Sequence, residues 1–144
     1  MKKQTAKEFL SQAYRIDQRI NSKLEQITSL RGLATKATTT LSDMPRNPNP
    51  SFHSMENIID KMLDLEIEIN ADIDSLVELK REIVQMIKRI EHPEYQTLLE
   101  LRYLCFKSWE QIAVDMGHEL RYLHKLHGRA LEQCAETRAM GESV

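Results

Sequence analysis

Apolar residues recur at steps of three and four along most of the chain, a pattern typical of helices buried along one side. In the first segment, residues 5–42, the stripe comprises Ala13, Ile16, Ile20, Leu24, Ile27, Leu30, Ala34, Ala37 and Leu41. In the second, residues 51–91, it comprises Met55, Ile58, Met62, Leu65, Ile69, Ile73, Leu76, Leu79, Ile83, Ile87 and Ile90. Thr5 and Glu8 have the capping-box spacing of a helix start. The pattern predicts two long helices.

Prolines divide the chain into segments. Pro45, Pro48 and Pro50 fall in a loop predicted over residues 43–50, and Pro93 begins a third segment that extends to about residue 140. Proline has no backbone N–H and disfavours helix in the residue before it, so we expect both long helices to end at these breaks. The loop would return the second helix antiparallel to the first.

Charge favours pairing of the two long helices. Residues 1–49 hold nine Lys or Arg against four Asp or Glu, whereas residues 50–91 hold five against ten. Oppositely charged flanks select partners in coiled coils. A two-helix hairpin covers only part of each stripe, so a second copy or the third segment is expected to cover the rest. We therefore predict a homodimer.

The third segment predicts three shorter helices. The first begins at Pro93, after His92, and has an apolar face of Tyr95, Leu98, Leu99, Leu101 and Cys105. Ser108 and Gln111 form a second capping box, which opens a short helix with Trp109, Ile112, Ala113 and Met116 inward. Gly117 ends that helix, and a third helix is predicted over residues 119–138.

This order fits a helix-turn-helix. Two helices that cross over a short turn need a small residue, which Ala113 supplies, and a turn residue that tolerates positive φ, which Gly117 supplies. Ile112, Leu123 and Leu126 would close the corner against the preceding helix. The predicted scaffold is Trp109, Ile112, Ala113, Gly117, Leu123 and Leu126. A purely structural helical corner could share this spacing and remains open.

The last helix has a predicted basic face. With Leu123 inward, a rotation of about 100° per residue turns Arg121, Lys125 and Gly128 outward. His124 lies on one flank, and Tyr122 and Arg129 lie on the other. Arginine and lysine at these positions suit phosphates or guanine edges in a major groove. A solvated helix face is the alternative.

The sequence therefore predicts an all-α protein with two domains. Residues 1–91 form a long antiparallel helical hairpin, similar to a coiled coil, for self-association or partner docking. Residues 92–144 form a three-helix module with the helix-turn-helix.

The residue patterns that catalysis, cofactor binding or metal binding would require do not stand out in the sequence. The acidic second helix has no Glu-x-x-His pair of a di-iron site, and Glu68 with Asp72 fits a solvated acidic face. No nucleophile constellation and no glycine-rich phosphate loop stands out, so we expect no enzyme activity, cofactor or small-molecule substrate. Cys105 and Cys134 are interpreted as buried thiols rather than disulfide or zinc ligands. His124 and His127 lack further ligands, so no metal is expected, and His127 is predicted to lie in the core.

Location follows from the absence of long apolar runs. No run approaches the roughly 18 to 20 residues of a membrane span, and no apolar stretch follows the Met-Lys-Lys-Gln start. We expect a cytoplasmic protein without a membrane partner.

The stretch "LRYLCFKSWEQIAVDMGHELRYLHKLHGRALE" resembles region four of bacterial sigma factors, which reads the promoter's upstream element. The whole chain is similar to phage-encoded transcriptional regulators of the RinA and ArpU kind, which act on late or packaging genes. The specific part covers about 35 residues near the C-terminus. The resemblance implies DNA contacts at five positions, which are Arg121, Tyr122, His124, Lys125 and Arg129.

Three features depart from that family. Glu119 stands where serine usually begins the recognition helix, and Gly128 replaces a residue that is commonly basic. Residues 93–144 hold six Lys or Arg against eight Asp or Glu, so one module should bind DNA weakly. Affinity would then need a dimer on two half-sites, or host RNA polymerase docked on the acidic helix around residues 56–78.

The expected function is sequence-specific binding of double-stranded DNA by a transcription regulator of the phage or prophage late-gene type. The helix around residues 119–131 would contact the promoter. The alternative is a helical protein–protein adaptor or inhibitor that does not bind DNA.

Overall fold

A computed structural model of the protein describes residues 5–43 and 48–142, with side chains described in 5–37 and 54–138. All regular secondary structure in these ranges is α-helical. The helices are α1 (Ala6–Asp43), α2 (Pro48–Lys88), α3 (Pro93–Tyr103), α4 (Trp109–Met116) and α5 (Leu120–Glu142). The predicted all-α fold, with two long helices followed by a three-helix module, is confirmed. Leu41, the last position of the first predicted stripe, lies outside the described side chains.

Helix starts follow the capping residues of the sequence. Thr5 Oγ1 accepts the Glu8 backbone N–H at 3.1 Å, and Glu8 Oε2 accepts the Thr5 N–H at 3.3 Å, which completes the capping box at α1. Ser108 Oγ likewise accepts the Gln111 N–H at 3.2 Å at α4. The second box is only half formed, because the Gln111 side chain donates to Asp115 instead. Pro93 occupies the first turn of α3, where no backbone donor is needed.

The chain is divided into two compact units, and the boundary between them passes through both long helices. One contains residues 5–15 and 76–142, and the other contains residues 16–75 apart from 44–47. The first unit therefore includes the start of α1 and the end of α2 in addition to the three-helix module. Its boundaries differ from the predicted division between residues 91 and 92, because the ends of the long helices share a core with α3 and α5.

Contacts within the first unit show how that core is shared. The Cys134 thiol of α5 lies against the sulfur of Met86 in α2, and the Arg138 guanidinium lies 4.7 Å from the Phe9 ring centre in α1. Gln96 Nε2 donates to the Ile90 carbonyl at 2.6 Å, which fixes α3 against the end of α2. The sequence pattern did not reveal the contacts of Cys134 with Met86 and of Arg138 with Phe9, since they join helices far apart along the chain.

The second unit is an antiparallel helical hairpin. Lys23 Nζ of α1 lies 2.6 Å from Asp72 Oδ2 of α2. Lys23 is about twenty residues before the end of α1 and Asp72 about as far beyond the start of α2, so the two helices run in opposite directions. Apolar residues from both helices are buried here, namely Ile20, Ile27, Leu65 and Ile69.

Two residues of the predicted stripes remain exposed in this unit. Leu24 is 47% exposed and Ile73 is 41% exposed. Each helix of a pair can cover only a narrow part of its partner's apolar side, so residues at the edge of a stripe stay in solvent. The predicted stripes were wider than the surface that one partner helix covers.

The connection between α3 and α4 contains an unusual backbone conformation. Phe106 has φ 58°, which costs a residue with a side chain roughly 1 to 2 kcal/mol. Its ring packs edge-on against Tyr14 at 5.6 Å and lies under the Lys80 ammonium at 4.8 Å, which offsets that cost. The prediction that Cys105 is buried is wrong, because α3 ends before it and the thiol is exposed. Cys134 is buried, as predicted.

Candidate nucleic-acid interface

Gly117 forms the turn between α4 and α5. Its φ of 69° and ψ of 36° place it in the left-handed region, where glycine has no steric cost. The Gly117 N–H bonds the Val114 carbonyl at 3.3 Å, and the His118 N–H bonds the Ala113 carbonyl at 3.0 Å. This pair of bonds is a Schellman motif, which ends α4 and sets the direction of α5.

A small apolar core holds the three helices of the module together. Leu98, Ile112 and Leu123 are fully buried, and Leu126 is nearly so. Trp109 and Ala113 pack against this core and are partly buried. The structure thus brings together the six residues expected to form the scaffold, with Gly117 at the turn.

The side of α5 away from that core is basic. Arg121, Lys125 and Arg129 are all exposed, at successive steps of four residues. In the described part of the chain no carboxylate forms an ion pair with any of the three. Tyr122 and His124, the two other predicted contacts, are also exposed. Gly128 lies on the same helix and would have open space beside an added Cβ.

Arg102 and Lys107, two other cations of the module, are bonded to groups of the protein itself. Arg102 donates to the Lys107 carbonyl at 2.9 Å and its guanidinium lies 4.6 Å from the Trp109 ring centre. Lys107 Nζ is 2.6 Å from Asp115 Oδ2. That hydrogen bond lowers the pKa of Asp115 and raises the pKa of Lys107. The basic side of α5 therefore differs from these positions, since its charges face solvent.

Aromatic contacts position Tyr122 and His124, the two other predicted contacts of the interface. Tyr122 packs edge-on against His118, with ring centres 4.9 Å apart, and His118 Nε2 bonds a Glu94 carboxylate oxygen. His124 lies 5.0 Å from the Trp109 ring. Sequence reasoning missed His118 and Glu94, because residues 24 positions apart meet only through the packing of α3 against the turn between α4 and α5.

His127 lies in the core of the first unit, as predicted. Only 7% of it is exposed, and its Nε2 is 2.7 Å from the Tyr103 hydroxyl. Burial is the main reason that its pKa is lowered to about 4, and the positive charges of Lys7 and Arg102 add to the effect. Burial also raises the pKa of Tyr103 to about 12. His127 is thus a neutral hydrogen-bonding partner and not a DNA contact.

The buried His127 makes stability depend on pH. In the unfolded chain His127 takes up a proton near pH 6.5, whereas in the folded protein its pKa is about 4. Protonation of His127 therefore favours the unfolded chain between these two values. The free energy of unfolding is unaffected by His127 above pH 6.5 and falls as the pH is lowered from 6.5 towards 4. We expect the loss to be at most about 3 kcal/mol. Urea unfolding at pH 7.5 and pH 4.5 measures it.

The matched variant for this measurement is His127→Gln, which cannot titrate but can still bond the Tyr103 hydroxyl. Its unfolding free energy should fall less than that of the original protein over the same pH interval. An identical fall in both proteins would show that the carboxylates alone cause the acid sensitivity.

The described residues contain no group of three or more His, Cys, Asp or Glu side chains arranged to hold a metal ion. None of the helices, over the same residues, combines the length and apolar character needed to cross a bilayer. In comparisons with known proteins, no protein-family model, curated protein or solved structure matches the chain.

Proposed function

We propose that the protein is a sequence-specific, double-stranded DNA-binding transcription regulator of the phage or prophage late-gene type. The helix around residues 119–131 binds promoter DNA. The observation that supports this proposal is the basic side of α5, whose three exposed cations form no ion pair with the described residues and follow the left-handed Gly117 turn at the end of α4.

The dimensions of this side suit a DNA groove. Arg121, Lys125 and Arg129 follow one another at about 6 Å along the helix axis. Such a row can place one cation at a base edge and the others at phosphates as the helix lies in the major groove. Tyr122 and His124 add hydrogen-bonding groups on either side, and both can donate to or accept from bases.

Affinity requires more than one module. Residues 93–144 carry two more acidic than basic residues, so few counterions are released when one module binds. We propose that a homodimer on two half-sites, or contact with host RNA polymerase, supplies the remaining affinity. Sedimentation of the protein with and without duplex DNA distinguishes one module per duplex from two.

Selection of bound duplexes from random DNA tests the proposal. We expect a recurrent short motif after several rounds and tighter binding to that motif than to a shuffled duplex by at least about 1000-fold. The affinity should also fall steeply as salt increases. Failure to enrich any motif, together with no salt-sensitive binding at low ionic strength, would contradict the proposal.

Adding a cation at position 128 should strengthen DNA binding. Gly128→Arg places a guanidinium on the exposed side of α5, where an added side chain meets nothing within 4 Å. One further phosphate contact should increase the steepness of the salt dependence by about one unit of slope. Fluorescence anisotropy with the selected duplex, at several salt concentrations, measures both quantities.

Gly128→Ala is the matched control. Like Gly128→Arg, it removes the low helix propensity of glycine, which stabilises α5 by roughly 1 kcal/mol, but it adds no charge. The alanine variant should therefore be more stable than the original protein but have an unchanged salt slope. If alanine and arginine change DNA binding equally, the effect comes from helix stability and not from contact with DNA.

A further inference from the structure

A second apolar stripe lies on the exposed side of α2 within the helical hairpin. It consists of Ile59, Leu63 and Ile67, and it is continued by Ile73, the exposed residue at the edge of the stripe that faces α1. Ile59, Leu63 and Ile67 follow at steps of four residues, and Ile73 is two heptads beyond Ile59. The stripe is about 21 Å long at the rise of an α-helix.

This stripe is distinct from the one that α1 covers. Ile67 is two residues from both Leu65 and Ile69, which are buried, so it points to the opposite side of the helix. It is 69% exposed, and Leu63 is 52% exposed. A helix with apolar residues on two sides is suited to two partners, of which the hairpin supplies one.

The charges around the stripe identify the kind of partner. Between residues 54 and 75 there are seven Asp or Glu and one Lys. Glu68 and Asp72 lie near Lys23 on the side of α1. By contrast, Asp60, Asp64, Glu66 and Asp74 border the exposed stripe, and within the described residues no cation forms an ion pair with them.

Such a surface repels some partners and attracts others. Two copies of the stripe packed together would bring two sets of these carboxylates side by side. The α1 helix of a second copy offers little apolar surface, because only Leu24 and Leu33 are exposed large apolar residues in its described part after Arg15. Nucleic acid and anionic lipid would be repelled by the same charge.

We infer that the exposed side of α2 between residues 59 and 73 is a docking site for a basic amphipathic helix of another protein. The apolar residues of that helix cover Ile59, Leu63, Ile67 and Ile73, and its lysines or arginines pair with the bordering carboxylates. Helix-in-groove recognition of this kind uses anchors at steps of three and four residues. The inference does not depend on DNA binding.

A synthetic peptide of about three heptads tests this inference, with leucine at the a and d positions and lysine at the e and g positions. A matched peptide carries glutamate in place of lysine. Fluorescence anisotropy with the full chain should show binding of the lysine peptide that weakens with salt, and at least tenfold weaker binding of the glutamate peptide. Equal binding of the two peptides would overturn the inference.

The protein variant Leu63→Ser with Ile67→Ser should bind the lysine peptide at least tenfold more weakly, with unchanged helical content. The control Leu33→Ser with Val114→Ser removes two exposed apolar residues elsewhere and should bind it like the original protein. Equal loss in both variants would overturn the inference.

Sedimentation of the same variants tests whether a second copy of the chain occupies the stripe. If the original protein is a dimer and Leu63→Ser with Ile67→Ser makes it a monomer, a second copy occupies the stripe and the inference is wrong. An unchanged oligomeric state supports it. DNA binding by this variant should be unchanged, so failure of the docking site is distinguishable from failure of the DNA-binding proposal.

Discussion

Replacing Arg121 and Lys125 together by alanine is expected to lower affinity for the selected duplex by about 30-fold or more. Each contact of such a side chain with a base edge or phosphate contributes roughly 1 to 3 kcal/mol, and two contacts are lost. Both residues are exposed and neither forms an ion pair with the described residues, so helical content and unfolding free energy should hardly change. Anisotropy titrations and urea unfolding measure these quantities.

The control for this prediction is Lys61→Ala with Arg89→Ala. Lys61 is exposed on α2 and Arg89 is exposed in the turn that follows α2, and the double change removes the same net charge. If the effect comes from specific contacts, the control should keep most of the affinity. An equal loss in both double variants would show that overall charge, and not the α5 surface, determines DNA binding.

Ile112→Ala is expected to destabilise the protein by about 2 to 5 kcal/mol. Ile112 is fully buried among Leu98, Leu123 and Leu126, so the smaller side chain leaves a cavity at the centre of the helix-turn-helix. A loss of this size is a large fraction of the stability of a small protein. Urea unfolding followed by circular dichroism measures it.

Val114→Ala provides the comparison within the same helix. Val114 is 75% exposed, so its truncation should change the unfolding free energy by no more than about 0.5 kcal/mol. If the two substitutions have similar effects, Ile112 is not in the core and the helix-turn-helix packing described above is wrong.

Local patterns were sufficient to predict the helices and their order. Thr5 with Glu8 and Ser108 with Gln111 mark helix starts through bonds three residues apart, and Gly117 marks a turn through its own conformational freedom. Each of these signals acts over a few residues. The exposure of Arg121 and Lys125 also follows from local geometry, because the position of buried Leu123 fixes the rotation of α5.

Contacts between distant parts of the chain could not be predicted in the same way. The pairing of His118 with Glu94, which supports Tyr122, depends on how α3 meets the turn between α4 and α5. The position of Phe106 depends on Tyr14 and Lys80, which come from both long helices. Periodicity alone also assigned one apolar stripe to α2, whereas Ile59, Leu63 and Ile67 form a second one.

The most direct measurement of the DNA-binding proposal is a titration of isotope-labelled protein with the selected duplex, followed by backbone amide NMR. We predict that the largest chemical-shift changes fall on the amides of residues 119–131, and that the changes in the hairpin, residues 16–75, are smaller. Changes centred elsewhere, or none at a duplex concentration that saturates binding, would contradict it.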